Sequence, residues 1–398
     1  MLIPLANAPR DYAWGATSLI ADLEGRAPSG RPEAEVWFGD HPGDPAETPD
    51  GRTLDRWIAE DGAGAGIDAP LPYLLKLLAA ASPLSIQAHP SKSQAEAGFA
   101  REEAVGTPRD AAERTYRDAN HKPELIVALS DTFRALAGLR EIDDTRRLVA
   151  ALGPGAAPLA ERLAQTDASL AAIIGWLLSD GADEARAVIA AAVAAARSSS
   201  HLGAVGTAEE TVLGEFAAEL ELARTLEEGF PGDPGIVVAL LMNLVTLRRG
   251  EGLFLPAGVL HAYLEGLGVE LMAASDNVLR GGLTPKHIDA EELVRVLDPE
   301  PGLPPVVIGR PVGEGVHQYD VPVADFALLA VTPPPLGVDV SLDGPAIALA
   351  TAGALTVTAL ASGASETLEP GRAVLVTPDE NGVRVAGQGE LFIALPGR

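Results

Sequence analysis

The pattern of hydrophobic and polar positions divides the chain into three textures. Residues 1–142 are mixed: short β-like runs at 35–39 and 84–88 stand among Pro/Gly turns, while 54–59 and 72–81 carry a helical rhythm. Residues 143–230 are Ala-rich and nearly free of Pro. Their apolar positions recur at helical spacing, as in Leu148, Leu152 and Leu159, then Ile173, Ile174, Leu177 and Leu178. That spacing predicts a bundle of about four or five helices. The breaker cluster Pro231-Gly232-Asp233-Pro234 ends this texture. One helix is expected over 236–241, and strands dominate from Gly250 onward, at 252–256, 306–308, 326–331, 347–350, 355–360, 373–376, 383–385 and 391–394. Many short strands separated by turn residues read as a sandwich or jelly roll. The expected fold class is mainly β with an α-helical insertion. Residues 1–142 with 231–302 form one β unit, 143–230 the inserted helical unit, and 303–398 a second β unit.

Charge and composition narrow the function. There are 29 Lys and Arg against 56 Asp and Glu, a formal net charge of −27. So acidic a chain is no general nucleic-acid binder, because neutralising phosphates needs a basic surface. A small anionic ligand, which needs only a local basic pocket, stays open. The absence of cysteine excludes disulfides, thiol catalysis and thiolate metal sites, so any metal is held by nitrogen and oxygen. The N-terminus lacks the charged and apolar regions of a signal peptide. No apolar run reaches the ~18 residues of a membrane span. The longest are broken by Lys76, Asn243 and Arg197. A cytoplasmic protein with neither membrane nor nucleic-acid partner is expected.

The seven histidines differ in setting. His201, in a Ser-rich connector, and His317, at a strand edge, read as ordinary solvated residues. In Leu84-Ser85-Ile86-Gln87-Ala88-His89-Pro90, strand alternation puts Ser85, Gln87 and His89 on one side and Ile86 and Ala88 toward a core. Glu124 sits where the polar knot Asn120-His121-Lys122-Pro123-Glu124 runs into an apolar strand, and burying it requires a partner or a cation. His261 opens a strand after a Pro/Gly turn. Each alone reads as a polar strand face, a charged turn or a hydrogen-bonded core histidine. As a set, Gln87, His89, Glu124 and His261 offer two nitrogens and two oxygens with one formal negative charge, which suits a catalytic zinc. Other divalent ions also occupy such sites. A fourth segment gathers Glu270, Asp276, Arg280 and Lys286 around Gly281-Gly282. It is either an anion site or a loop whose charges compensate one another. No phosphate-loop or dinucleotide fingerprint is present.

Taken in order, these segments resemble the type I mannose-6-phosphate isomerases. The resemblance lies in Asn7 through Tyr12, Trp14 and Gly15; Ala34-Glu35-Val36-Trp37 through His41-Pro42; Lys76 leading into Gln87-Ala88-His89-Pro90; Asn120-His121-Lys122-Pro123-Glu124; and His261-Ala262-Tyr263 through Glu270, Ser275-Asp276-Asn277, Arg280 and Lys286-His287. It covers roughly residues 5–142 and 235–290, and five ordered motifs make it specific. The resemblance implies two cupin-like jelly-roll units plus a helical one, and one zinc per chain on the residues matching Gln87, His89, Glu124 and His261. It implies a small phosphosugar as partner and interconversion of mannose 6-phosphate and fructose 6-phosphate through an enediol. Arg280 is the first candidate for the substrate's negative charge, with Lys286 and Ser85 assisting and Glu270 and Trp14 also at the substrate. Lys76, His121, Lys122 and Asp276 are all candidates to carry the proton. A lysine would serve as base if cationic neighbours depressed its pKa. Gly281 stands where many relatives have alanine, which loosens that turn. A monomer is expected. The alternatives are an isomerase of another phosphosugar and a non-catalytic zinc cupin that binds sugars.

Overall fold

The computed structural model describes residues 1–165, 169–199 and 208–397; His201 lies outside them. Two antiparallel sheets dominate, one of ten strands and one of nine among the described residues. In the ten-stranded sheet a single long strand, His261–Ala273, is the hub. Its beginning pairs with Thr132–Leu139 and with Gln87, and its later part pairs with Tyr73–Ala80 and Glu124–Ala128. The strand passes from one wall to the other at Gly266, whose φ is 125° and where a Cβ would lie 2.7 Å from Phe133 Cδ2. Only glycine accommodates both constraints. This crossing brings the ends of strands distant in sequence to the mouth of one curled sheet.

The second sheet is built from Ala346–Ala359 against Gly382–Leu395, with shorter strands around them. Each of these was expected as two strands. The ladder instead runs on through a register shift between Ala350 and Ala352, so turn-like Gly and Ala residues do not interrupt it. After Pro304 the described chain contains strands and the three-residue turn Pro378–Glu380. The pairings also cross the boundary read from composition. Leu2–Leu5 joins the second sheet beside Ala373–Val376, and Val306–Ile308 pairs with Glu251–Leu255 of the first. A shared core of Leu75, Leu125, Val269 and Leu271 with Leu328, Ile347, Leu349 and Phe392 packs the sheets face to face.

The helical region holds six α-helices among the described residues, from Ile142–Ala151 to Ala217–Gly229. Its core continues into Ile86, Ala88, Leu136, Leu260 and Ala262, so the bundle covers the outer face of one wall. The segment 72–81, read as helical, is the strand Tyr73–Ala80. All eight of its residues are buried. Strands on both flanks and cores on both faces override the helix propensity of Leu, Ala and Lys, and they remove the alternation that marks a half-buried strand. No helix among the described residues is long and apolar enough to cross a membrane.

Candidate metal centre and substrate cleft

Gln87 faces His261 across the ladder, and Arg280 faces Gln87 on the other side. Local alternation holds: Ile86 and Ala88 are fully buried, while the Gln87 amide N–H donates to Ser85 Oγ at 3.0 Å. Glu124 enters from the neighbouring wall. Its Oε1 lies 3.1 Å from His89 Nε2 and its Oε2 lies 3.4 Å from His261 Nε2. The donor atoms of His89, Glu124 and His261 all fall within 4.8 Å of one another, and all three residues are buried.

Backbone carbonyls fix both imidazoles. His89 Nδ1 donates to the Asn277 carbonyl at 2.7 Å and His261 Nδ1 to the Val259 carbonyl at 3.0 Å, which turns both Nε2 lone pairs toward Glu124. Burial, with the charge of Lys122, pushes the His89 pKa down to about 4, so the ring is neutral. Its Nε2 is fully buried and has no hydrogen-bond partner of acceptable geometry, although a carboxylate oxygen is close by. A lone pair aimed at an anion needs a cation between them. Burial opposes ionisation of Glu124, but Lys122, 2.8 Å from Oε1, and the two histidines hold its carboxyl well below the usual range. The nitrogen and oxygen donors of His89, Glu124 and His261 suit a zinc ion, and Gln87 stands across the ladder from His261.

The centre opens into a cleft of about 610 Å³, the size of a small-ligand site. Along it lie Trp14, Lys76, Ser85, Gln87, Lys122, Glu124, His261, Glu270, Asp276, Arg280 and Lys286. The structure therefore gathers nearly every residue singled out from the sequence, with His89 buried behind Glu124. His121 is the exception. It is absent from the cleft wall, and its Nε2 contacts Asp325 Oδ2 at 2.8 Å, so it ties the polar knot to the second sheet. Glu35, Trp37, Tyr12 and Tyr263 also line the cleft and were not anticipated as site residues. All four stand within the motifs that carry the family resemblance, and no local spacing sets them apart as site residues.

Lys76 is not a depressed-pKa base. Its ammonium is 3.0 Å from Glu270 and 4.0 Å from Glu35 and lies 4.9 Å over the Trp37 ring. Burial works against its charge, yet these acids outweigh burial and raise its pKa, so it is a fixed cation. Burial raises the Glu270 carboxyl in turn, with Lys76 opposing. On the adjoining wall, where Arg280 faces Gln87, Arg280 and Lys286 have no acidic partner among the described residues. Burial and the Arg117 guanidinium lower the Arg280 pKa; burial, Arg280 and Arg117 lower that of Lys286. Uncompensated cations at a cleft wall are an anion site in waiting.

The loop carrying them rests on the end of the helical unit. Asp233 accepts from Gly235 N at 2.7 Å and Thr284 N at 3.3 Å, and Phe230 lines the cleft. Gly281 is not loose: a Cβ there would lie 3.1 Å from Ile86 Cγ2. Gly282, with φ 122°, is tighter still, since a Cβ would stand 2.3 Å from Gly235 Cα. Gly282→Ala is expected to destabilise the protein by about 2–4 kcal/mol, combining backbone strain with overpacking. A denaturant melt within experimental error of the parent would show that this contact is not held.

Comparison with known proteins places these observations in context. A profile of the phosphomannose isomerase type I catalytic domain matches residues 2–142. The mannose-6-phosphate isomerase of Escherichia coli is 36% identical over 402 residues, covering 97% of each chain. That of Salmonella typhimurium is 40% identical over 346 residues, covering 81% of this chain and 82% of the other. A zinc-bound crystal structure of mannose 6-phosphate isomerase superposes with a TM-score of 0.84 at 33% identity, over 100% of both chains.

Proposed function

The chain belongs to the type I phosphomannose isomerase family, and on that basis we propose how its cleft divides the work of interconverting mannose 6-phosphate and fructose 6-phosphate. The observation that carries the assignment is the pairing of two features in one cleft: two histidines and a carboxylate converging on a point, and cations without an acidic partner on the adjoining wall. A dianionic sugar with oxygens at its reacting carbons would engage both.

The zinc-dependent reaction moves a proton between C1 and C2 of the open-chain sugar and must stabilise the charge that develops on oxygen. Gln87, His89, Glu124 and His261 would hold the zinc, and when bound it supplies Lewis-acid polarisation of a sugar oxygen. Arg280 and Lys286 bind the negative charge of the substrate and draw it against the metal-facing wall, with Ser85 beside them. Trp14 bounds the sugar. Lys76 stays an ammonium, locked by Glu270 and Glu35, and adds fixed positive potential. Lys122 neutralises part of the Glu124 charge.

Asp276 is the proton carrier in this reading. Of the carboxylates along the cleft, Glu35 bonds Trp37 at 2.6 Å, Glu270 pairs with Lys76, and Glu124 faces the metal centre. Asp276 is exposed, and its carboxylate lies 3.6 Å from His41 Nε2 with no Lys or Arg ion pair among the described residues. It is thus free to accept a carbon-bound proton and return it to the adjacent carbon.

The metal-holding and cationic groups invoked here all belong to this chain, which is compatible with a monomer as the working unit. Charged phosphosugars do not cross membranes unaided, which supports reading the reaction as cytoplasmic. The test is a coupled assay of fructose 6-phosphate formation from mannose 6-phosphate, before and after dialysis against a chelator. Turnover is expected to vanish on metal removal and return with zinc. Undiminished turnover in protein shown to be metal-free would refute the role of the centre. Preference for glucose 6-phosphate would move the assignment to another phosphosugar.

A further inference from the structure

Behind the cleft, two loops far apart in sequence are stitched together, and Asp118 is where the stitches meet. The Asn277 amide accepts from Arg117 N at 2.7 Å and donates to the carbonyls of Asp118 and Asn120, each at 2.8 Å. The Asp118 carboxylate takes the remaining donors. Its Oδ1 accepts from Ser275 Oγ at 2.9 Å, Asn120 N at 2.8 Å and Asn277 Nδ2 at 3.2 Å. Its Oδ2 accepts from Asp276 N at 2.7 Å and Ser275 Oγ at 3.1 Å. Asp118 itself does not line the cleft. One loop runs on into Lys122 and Glu124, and the other carries Asp276 and the Asn277 carbonyl that orients His89.

We propose that Asp118 is a positioning residue for the isomerisation: by binding the Asp276 amide and the flanking Ser275 hydroxyl, it sets where the Asp276 carboxylate stands in the cleft. The inference rests on the reading of Asp276 as proton carrier. A side chain that is 49% exposed has no packing to hold it, so its backbone must be placed from behind. Only an acceptor-only group satisfies this set of donors. Asparagine has the same shape but turns an amide N–H toward a donor.

Asp118→Asn tests this without changing volume. In the holoenzyme, kcat is expected to fall at least ~10-fold with KM within about threefold, because misplacing a reacting group by a fraction of an ångström penalises the chemical step. Zinc content should stay at the parent value. A merely structural role predicts a lower melting temperature with unchanged kcat in the folded fraction, and that result would overturn the proposal. A double-mutant cycle with Asp276→Asn separates the two readings. If Asp118 acts through Asp276, the double variant has the kcat of Asp276→Asn alone. Additive losses would mean that Asp118 works by another route, and the proposal fails. An Asp276→Asn variant with near-parent kcat would remove the proton role and the positioning with it. An impaired Asp276→Asn beside an unimpaired Asp118→Asn would defeat only the positioning. Should Asp118→Asn not fold, Asp118→Glu keeps the charge and acceptors but shifts them by a methylene, and an unchanged kcat there overturns the proposal equally.

Discussion

Glu124→Ala is expected to leave the protein without bound zinc and without measurable isomerase activity. The carboxylate is the only formal negative charge in the proposed ligand set, and its two oxygens reach His89 Nε2 at 3.1 Å and His261 Nε2 at 3.4 Å. Without it, two neutral imidazoles and an amide must hold a dication beside the Lys122 ammonium, which sits 2.8 Å from Oε1 in the intact centre. Both effects act against the metal. Stability falls as well: breaking a buried ion pair from one side typically costs about 3–5 kcal/mol, because the other charge is stranded. Glu124→Gln separates the causes. It preserves shape and hydrogen bonding, so it should fold better than the alanine variant while still losing most of its zinc affinity. Elemental analysis, a melting curve and the coupled assay on the same preparations decide. An alanine variant that retains a full complement of zinc and turns over within tenfold of the parent would take Glu124 out of the centre.

The metal centre was legible only as a set, since each segment alone reads as a polar strand face, a charged turn or a core histidine. Alternation alone separates Gln87 and His89 from the core positions Ile86 and Ala88, which are fully buried. An isolated glutamate at the mouth of an apolar strand announces a partner. Arg280 and Lys286 stood out for a different reason, since bases are scarce in so acidic a chain. What stayed hidden depends on pairing across the fold. Lys76 could be read as a base because its neighbours Glu35 and Glu270 come from two other strands, and only the ladder shows that they surround it. The same ladder hides the strand character of 73–80, where burial on both faces erases periodicity. His121 looks catalytic in its motif, but a loop of the second sheet supplies Asp325 and claims it. The bonds between Asp118 and Ser275–Asn277 join loops with no periodic signature, separated by about 157 residues.

Arg280→Ala is expected to lower kcat/KM by at least ~10²-fold, the scale of removing one charge-stabilising donor from a preorganised site. Zinc content should be unchanged. Stability should be unchanged or slightly higher, which distinguishes this residue from Glu124. If the loop compensated its own charges, Arg280 would pair with Glu270 or Asp276. The structure gives Glu270 to Lys76 and leaves Asp276 beside His41. Arg280 instead lies near Lys286 and Arg117; burial together with the Arg117 charge lowers its pKa, and Arg280 in turn lowers that of Lys286. Removing it relieves repulsion and breaks no ion pair. The same repulsion predicts that an anion stabilises the parent. Inorganic phosphate should raise its melting temperature, and the effect should shrink in the Arg280→Ala protein because a binding partner is gone. Arg280→Lys should restore only part of the activity, since an ammonium offers a point charge where a guanidinium offers a planar fork of donors. Steady-state kinetics, metal analysis and melting curves with and without phosphate settle the matter together. A clearly destabilised Arg280→Ala protein that keeps near-parent kinetics while folded, and still responds fully to phosphate, would show that the guanidinium holds the loop and never meets the substrate.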